Sequence, residues 1–151
     1  MAGFIPVYTI SGGRTLVFEF TTQDTETLTV GDLLNLESNK VDLAATGDAA
    51  FLGPLQGASD PDDNVSGQPG RIAAVSNTTK VEAVVNRDVV LSDGADANAR
   101  LVGDPLDLAG ATGAQGVTGT SNADFFILKD SAASEDTLVL IARGEHWLQQ
   151  T

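Results

Sequence analysis

The chain has 151 residues, 42% of them hydrophobic, which suits one compact domain and is too apolar for a disordered acidic tail. Its 21 Asp and Glu against 8 Lys and Arg give a formal charge of -13, which argues against a surface built to displace counterions from DNA or RNA phosphates. Cysteine is absent, so there is no disulfide framework, thiolate metal site or cysteine nucleophile, and no apolar run approaches the ~18 residues of a membrane span.

Residues 1–15 read as an N-terminal arm. Phe4-Ile5-Pro6-Val7-Tyr8 is apolar, and Ser11-Gly12-Gly13 cuts it from the first good strand. The opening Met1 to Pro6 lacks the charged start and apolar core of a secretion signal, so a soluble protein made in the cytoplasm is expected. In Leu16-Val17-Phe18-Glu19-Phe20, Leu16, Phe18 and Phe20 share a face, which predicts a half-buried strand. Further strands are predicted at 33–36, 41–44, 71–75, 81–86, 89–92, 105–108, 125–128 and 137–143, with Gly and Pro punctuating them at short intervals. Helix is confined to turns or single helical turns at 93–100 and 131–136. The class is mainly β, with 16–151 forming a single compact domain. Charge, Pro and Gly concentrate at 57–70, which is a surface loop and the dividing point if the domain has two lobes.

The chain also echoes itself. Val30-Gly31-Asp32-Leu33-Leu34-Asn35-Leu36 recurs as Val102-Gly103-Asp104-Pro105-Leu106-Asp107-Leu108, and each copy leads through a Gly/Ala/Thr-rich connection to an aromatic strand, at Phe51-Leu52 and at Phe125-Phe126-Ile127. Ordinary turn chemistry before a strand produces Gly-Asp, and so does internal duplication.

Motifs for chemistry are weak. Asp60-Pro61-Asp62-Asp63-Asn64 resembles the opening of a calcium loop, but Val65 stands where the sharp turn needs Gly and Arg71 where a bidentate Glu belongs. His146 is the single imidazole; beside Trp147 it has neither the other ligands of a zinc site nor a nucleophile to activate. Gly110 to Gly116 is rich in Gly but lacks the Lys and the following helix of a phosphate loop. A glycosidase-like acid pair would be expected with more aromatic platforms than one Trp and one Tyr. No segment joins the Ser, Arg and Gly phosphate contacts of a trimeric β nucleotidase to an acidic base. No catalytic residue, metal or cofactor is assigned, and a non-enzymatic role is expected.

The apolar arm, the strand at 30–36, Lys40-Val41-Asp42-Leu43-Ala44 and Asp48-Ala49-Ala50-Phe51-Leu52-Gly53 resemble the decoration, or cement, proteins of tailed bacteriophage heads. Asn86-Arg87-Asp88-Val89-Val90-Leu91, Ala97-Asn98-Ala99-Arg100 and Val102-Gly103-Asp104 extend that resemblance over most of residues 4 to 148, as a pattern rather than a diagnostic motif. The resemblance implies a small β-barrel or β-tulip-like protomer. It further implies homotrimers on the outer surface of the mature capsid, at three-fold positions, clamping the major capsid protein. The acidic charge suits the outside of a DNA-filled shell.

The family's arms add a strand to a capsid sheet or reach a neighbour, which points to Phe4, Ile5, Val7 and Tyr8 for capsid contact, although Pro6 removes one ladder donor. The same residues would equally form an edge strand of the protomer's own sheet. Trp147 and Leu148 are candidates for an intersubunit role or for core packing. The alternative function is a phage or cell-surface β domain that recognises a glycan or receptor, for which exposed rings would be the sign.

Overall fold

The computed structural model describes residues 3–23, 27–48, 51–59, 72–74, 79–85, 88–95, 98–111, 114–119 and 124–142. In chain order the strands are β1 (Ile5–Thr9), β2 (Val17–Thr21), β3 (Thr27–Thr29), β4 (Leu33–Glu37), β5 (Lys40–Leu43), β6 (Phe51–Ala58), β7 (Ile72–Ala74), β8 (Lys80–Val84), β9 (Val89–Ala95), β10 (Pro105–Ala109), β11 (Gly116–Thr118), β12 (Phe125–Ile127) and β13 (Asp136–Ile141). They form two antiparallel sheets, β2-β8-β6-β4-β5 and β1-β9-β13-β12-β10-β11, with β3 and β7 as a separate pair. The protein is all-β.

Three expectations change. No helix occurs among the described residues. Asp93 lies inside β9, whose end pairs Ala95 with Asp136 of β13. Before β13, a tight turn closes through Glu135 N to Ala132 O at 3.2 Å and Ala132 N to Glu135 Oε2 at 2.9 Å. Ser134 there has φ 69, a left-handed backbone that stops a helix from continuing. Nor is a barrel closed. The five-stranded sheet curls until Thr22 bridges Val41 in parallel, with Gln23 N donating to Val41 O at 3.0 Å, but closure needs a shared ladder between the edge strands and here a single bridge joins them. Finally, β2 is more exposed than a half-buried strand, with Leu16 at 47% and Phe18 at 50%, because it lies at the sheet edge.

The echo in the sequence is a repeat of structure. In chain order β2, β4, β5, β6 and β8 take the same places in their sheet as β9, β10, β11, β12 and β13 take in theirs. Gly31 N donates to Leu55 O at 2.9 Å and Leu55 N to Asp32 O at 2.7 Å. Likewise Gly103 N donates to Ile127 O at 2.8 Å and Ile127 N to Asp104 O at 3.0 Å. Each turn closes the same way, Asp32 N to Thr29 O and Asp104 N to Leu101 O, with Gly31 at φ 99 and Gly103 at φ 88 supplying the left-handed residue. Turn chemistry alone does not produce a shared strand order. The sheets divide between Val85 and Asp88; of the surface loop expected at 57–70, Gly57 and Ala58 instead end β6, paired with Glu82 and Val81 of β8, and 60–70 lie outside the described residues.

Two cores result. One lies between the sheets and joins Leu33, Phe51 and Val84 of the first to Val89, Leu91, Leu106, Leu108, Phe125, Ile127 and Val139 of the second. Phe125 is its hub, with ring centroids 5.3 Å from Phe4 and 6.1 Å from Phe51. The other core fills the curl of the first sheet with Leu34, Leu36, Val41, Leu52, Leu55, Val81 and Ala83, capped by Leu28 of β3. Strands β4 and β6 feed both cores, so their apolar residues run consecutively instead of alternating.

Candidate interaction surface

Alternation along β9, β10, β12 and β13 sends Leu91, Leu106, Phe125 and Val139 into the core and turns the intervening residues to the opposite face. That outer face is also apolar. Tyr8 pairs with Val90, Val90 with Leu140, Leu140 with Phe126 and Phe126 with Pro105, a single row across β1, β9, β13, β12 and β10. Ile5 and Leu138 flank Ser92 in the next row. Tyr8 is 51% exposed and Phe126 41%, while Val90 beneath them is fully buried. Exposed charges of Lys129, Asp130, Glu135 and Asp136 rim this end of the sheet.

A β-bulge makes the row possible. The register of β1 on β9 shifts between Pro6 and Tyr8, so Val7 is the extra residue and Tyr8 lands on the same face as Ile5. Strict alternation would have turned Tyr8 inward.

The repeat shows what such a row does when it is covered. Leu55 corresponds to Ile127, and the paired residues Leu33 and Pro54 therefore correspond to Pro105 and Phe126. By the same register, Val84 and Val17 correspond to Leu140 and Val90. In the first sheet Leu33 and Val84 are buried beneath the second sheet, as part of the core between them. In the equivalent row the second sheet exposes Tyr8, Phe126 and Pro105, with Leu140 partly and Val90 fully buried between them. A solvated face of an antiparallel sheet is ordinarily polar; this one keeps the composition of a buried face.

The predicted contact residues separate. Phe4 is 1% exposed and packs in the inter-sheet core, while its N–H donates to Gly31 O at 2.8 Å and that of Gly3 to Gln115 O at 3.0 Å. It anchors the first strand and is closed to an outside partner. Ile5, Val7 and Tyr8 are exposed, on a β1 that forms the edge of the protomer's own sheet. Trp147 and Leu148 lie outside the described residues, as do His146 and the 60–63 acidic run. Sequence reasoning missed Phe126, Leu138, Leu140 and Pro105. The signal was present: in Phe125-Phe126-Ile127 strict alternation must turn one of two adjacent rings outward.

The β1 end of this surface carries one perturbed acid. Asp88 has its pKa lowered below the ordinary aspartate value, first by the Ser11 hydroxyl and then by the Ser11 N–H, which donates to Oδ2 at 3.0 Å; partial burial opposes them weakly. Among the described residues no group of three or more His, Asp or Glu gathers as around a metal ion.

No protein-family model matches this chain, and a search of curated proteins finds no significant match.

Proposed function

We propose that this protein is a structural virion protein that binds the outer surface of a mature phage capsid and cements its shell of major capsid protein. The observation that carries the reading is the outward apolar row from Tyr8 to Pro105, whose repeat equivalents Leu33 and Val84 are buried against the neighbouring sheet. A surface of that composition on a folded domain is a contact surface. In this reading the protomer is of β-tulip type, assembles as a homotrimer at three-fold positions, and uses neither nucleic acid nor membrane. It is made in the host cytoplasm and ends on the outside of the head, where its acidic surface faces away from packaged DNA.

The mechanism is mechanical. Apolar area covered across a boundary between capsid subunits stabilises the junction by about 25 cal/mol per Å², before association costs, and three linked contacts hold the trimer when one lets go. A second reading, recognition of a glycan or receptor, is favoured by two exposed rings on this face, Tyr8 and Phe126, placed to stack on sugar faces.

The deciding experiment is co-sedimentation of the purified protein with expanded and unexpanded heads of the phage that encodes it. Saturable binding to expanded heads, at a copy number tracking the three-fold positions and lost in Phe126→Asp, supports the cement role. No binding to either head form overturns it and turns attention to a glycan screen with the same variant.

A further inference from the structure

The repeat leaves one position unmatched. In the second sheet β1 pairs antiparallel with the outer edge of β9, setting Tyr8, Pro6 and Ile5 against Val90, Leu91 and Ser92. The repeat equivalents of those three residues are Val17, Phe18 and Glu19 of β2, which is the terminal strand of its sheet. Beyond Thr21 the β2 edge is taken by the bridge from Thr22 to Val41, so among the described residues the open stretch runs from Val17 to Phe20. It is regular, with no register shift against β8, and Val17 and Phe18 on it are 38% and 50% exposed. Proline, lysine and bulges, which ordinarily blunt such edges, are absent from β2.

Charge indicates which strand fits. Glu19 stands directly opposite Glu82, an unfavourable like-charge cross-strand pair. The cation in the next paired position on that face, Lys80, donates Nζ to Thr21 Oγ1 at 3.3 Å, and no described cation pairs with either carboxylate. A second copy of β2 on this edge would bring two further carboxylates to the same face. A strand with a basic residue in the place that Ile5 occupies on β9 would instead set a cation beside Glu19, on the same face as Glu82 one strand further in.

We propose that the open edge of β2 is a docking site for one extended strand of another protein, antiparallel to β2, with apolar residues beside Val17 and Phe18 and a Lys or Arg in register with Glu19. This site is separate from the outer face of the second sheet and does not depend on what that face binds.

The test uses the full chain, isotopically labelled, and three blocked peptides: one centred on Val-Lys-Val-Val, which in antiparallel register sets Lys beside Glu19 and Val beside Phe20, Phe18 and Val17, its counterpart with Glu for Lys, and the Val/Lys peptide N-methylated at alternate residues. The Val/Lys peptide is expected to shift the amides of Val17 to Thr21 saturably, the Val/Glu peptide to bind up to about fivefold more weakly, and the N-methylated peptide not to bind. Glu19→Lys removes a like-charge pair at an exposed position, so the variant should fold, and it should reverse the preference between the two charged peptides. Absence of saturable shifts on β2, or a preference unchanged by Glu19→Lys, overturns the proposal. So does a peptide-free dimer whose β2 amides are protected from exchange, which would assign the edge to a second copy of this chain.

Discussion

The two repeats share a strand order and a turn, yet Leu33 and Pro54 are buried in the first while their equivalents Pro105 and Phe126 are exposed in the second. In the first sheet, Leu34 and Leu52 face the core inside the curl while Leu33 and Phe51 face the second sheet. In the second, Leu106 and Phe125 are buried while Pro105 and Phe126 look outward. Solvent exposure ordinarily makes such a face polar, and the row Tyr8, Val90, Leu140, Phe126 and Pro105 has stayed apolar across five strands. The difference at these positions is therefore one of coverage rather than composition.

The sharpest way to break that comparison is at adjacent rings. Phe125→Ala empties the hub of the inter-sheet core and should cost about 3–5 kcal/mol in urea unfolding. Phe126→Asp, one residue on and 41% exposed, should cost less than about 1 kcal/mol while abolishing head binding. If both variants lose similar stability, the outer row is structural and not a contact surface.

Next in size is the stitch between the repeats. Gln115, buried just before β11, accepts from Leu33 N at 2.6 Å and donates to Ala44 O at 3.0 Å, both in the first repeat. Gln115→Ala leaves both buried backbone groups without their partner and should lower stability by about 2–4 kcal/mol, measurable by thermal unfolding. Hydrogen exchange should rise at Leu33 more than within β12, since the loss falls on the repeat that receives the bonds.

A smaller effect is expected at Gly53, which the register sets at the repeat position of Phe125. A side chain fits at 125, but a Cβ at 53 would sit 2.2 Å from Val84 O, so the first sheet is drawn too tight for one. Gly53→Ala should cost about 1–3 kcal/mol in unfolding through displacement of β8.

Much of the fold was legible. Alternation located β4, β5, β8, β9, β10, β12 and β13 to within a few residues, and the repeated Val-Gly-Asp pointed to the duplication. What escaped was long-range. Nothing local says that Ile5 to Thr9 will pair with β9, or that Phe4 will fill a core shared by both sheets, because those contacts join segments far apart in the chain. The same holds for Gln115, which stands near the end of a Gly-rich stretch with no local sign that its amide meets Leu33 and Ala44. For the outer surface, the period-two signal identifies which residues share a face but not which face is covered, so Leu16 and Phe18 were expected to be half-buried while Phe126 went unnoticed.

The smallest predicted effect tests how β1, the strand peculiar to the second sheet, is held at its end. Ser11 follows β1 and donates to Asp88, just before β9, while Ile10 N donates to Asp88 O at 3.0 Å. Because the folded pKa of Asp88 is lowered, its contribution to stability is fully present well above the ordinary value of 3.8 and is lost as pH falls through the depressed folded value. Ser11→Ala removes the hydroxyl, the larger cause, and leaves the backbone donor in place. The Asp88 pKa, followed by carboxyl-carbon NMR, should rise part of the way toward 3.8, and the wild type's stability advantage over the variant should shrink below that pH. Such a partially exposed carboxylate contributes little at neutral pH. The informative readout is therefore where the change occurs: amide exchange should quicken at Tyr8 to Ser11 and stay unaltered in β2, which has no strand at the equivalent edge among the described residues. Quickening spread evenly over both sheets would mean that this contact supports the whole domain and not the added strand.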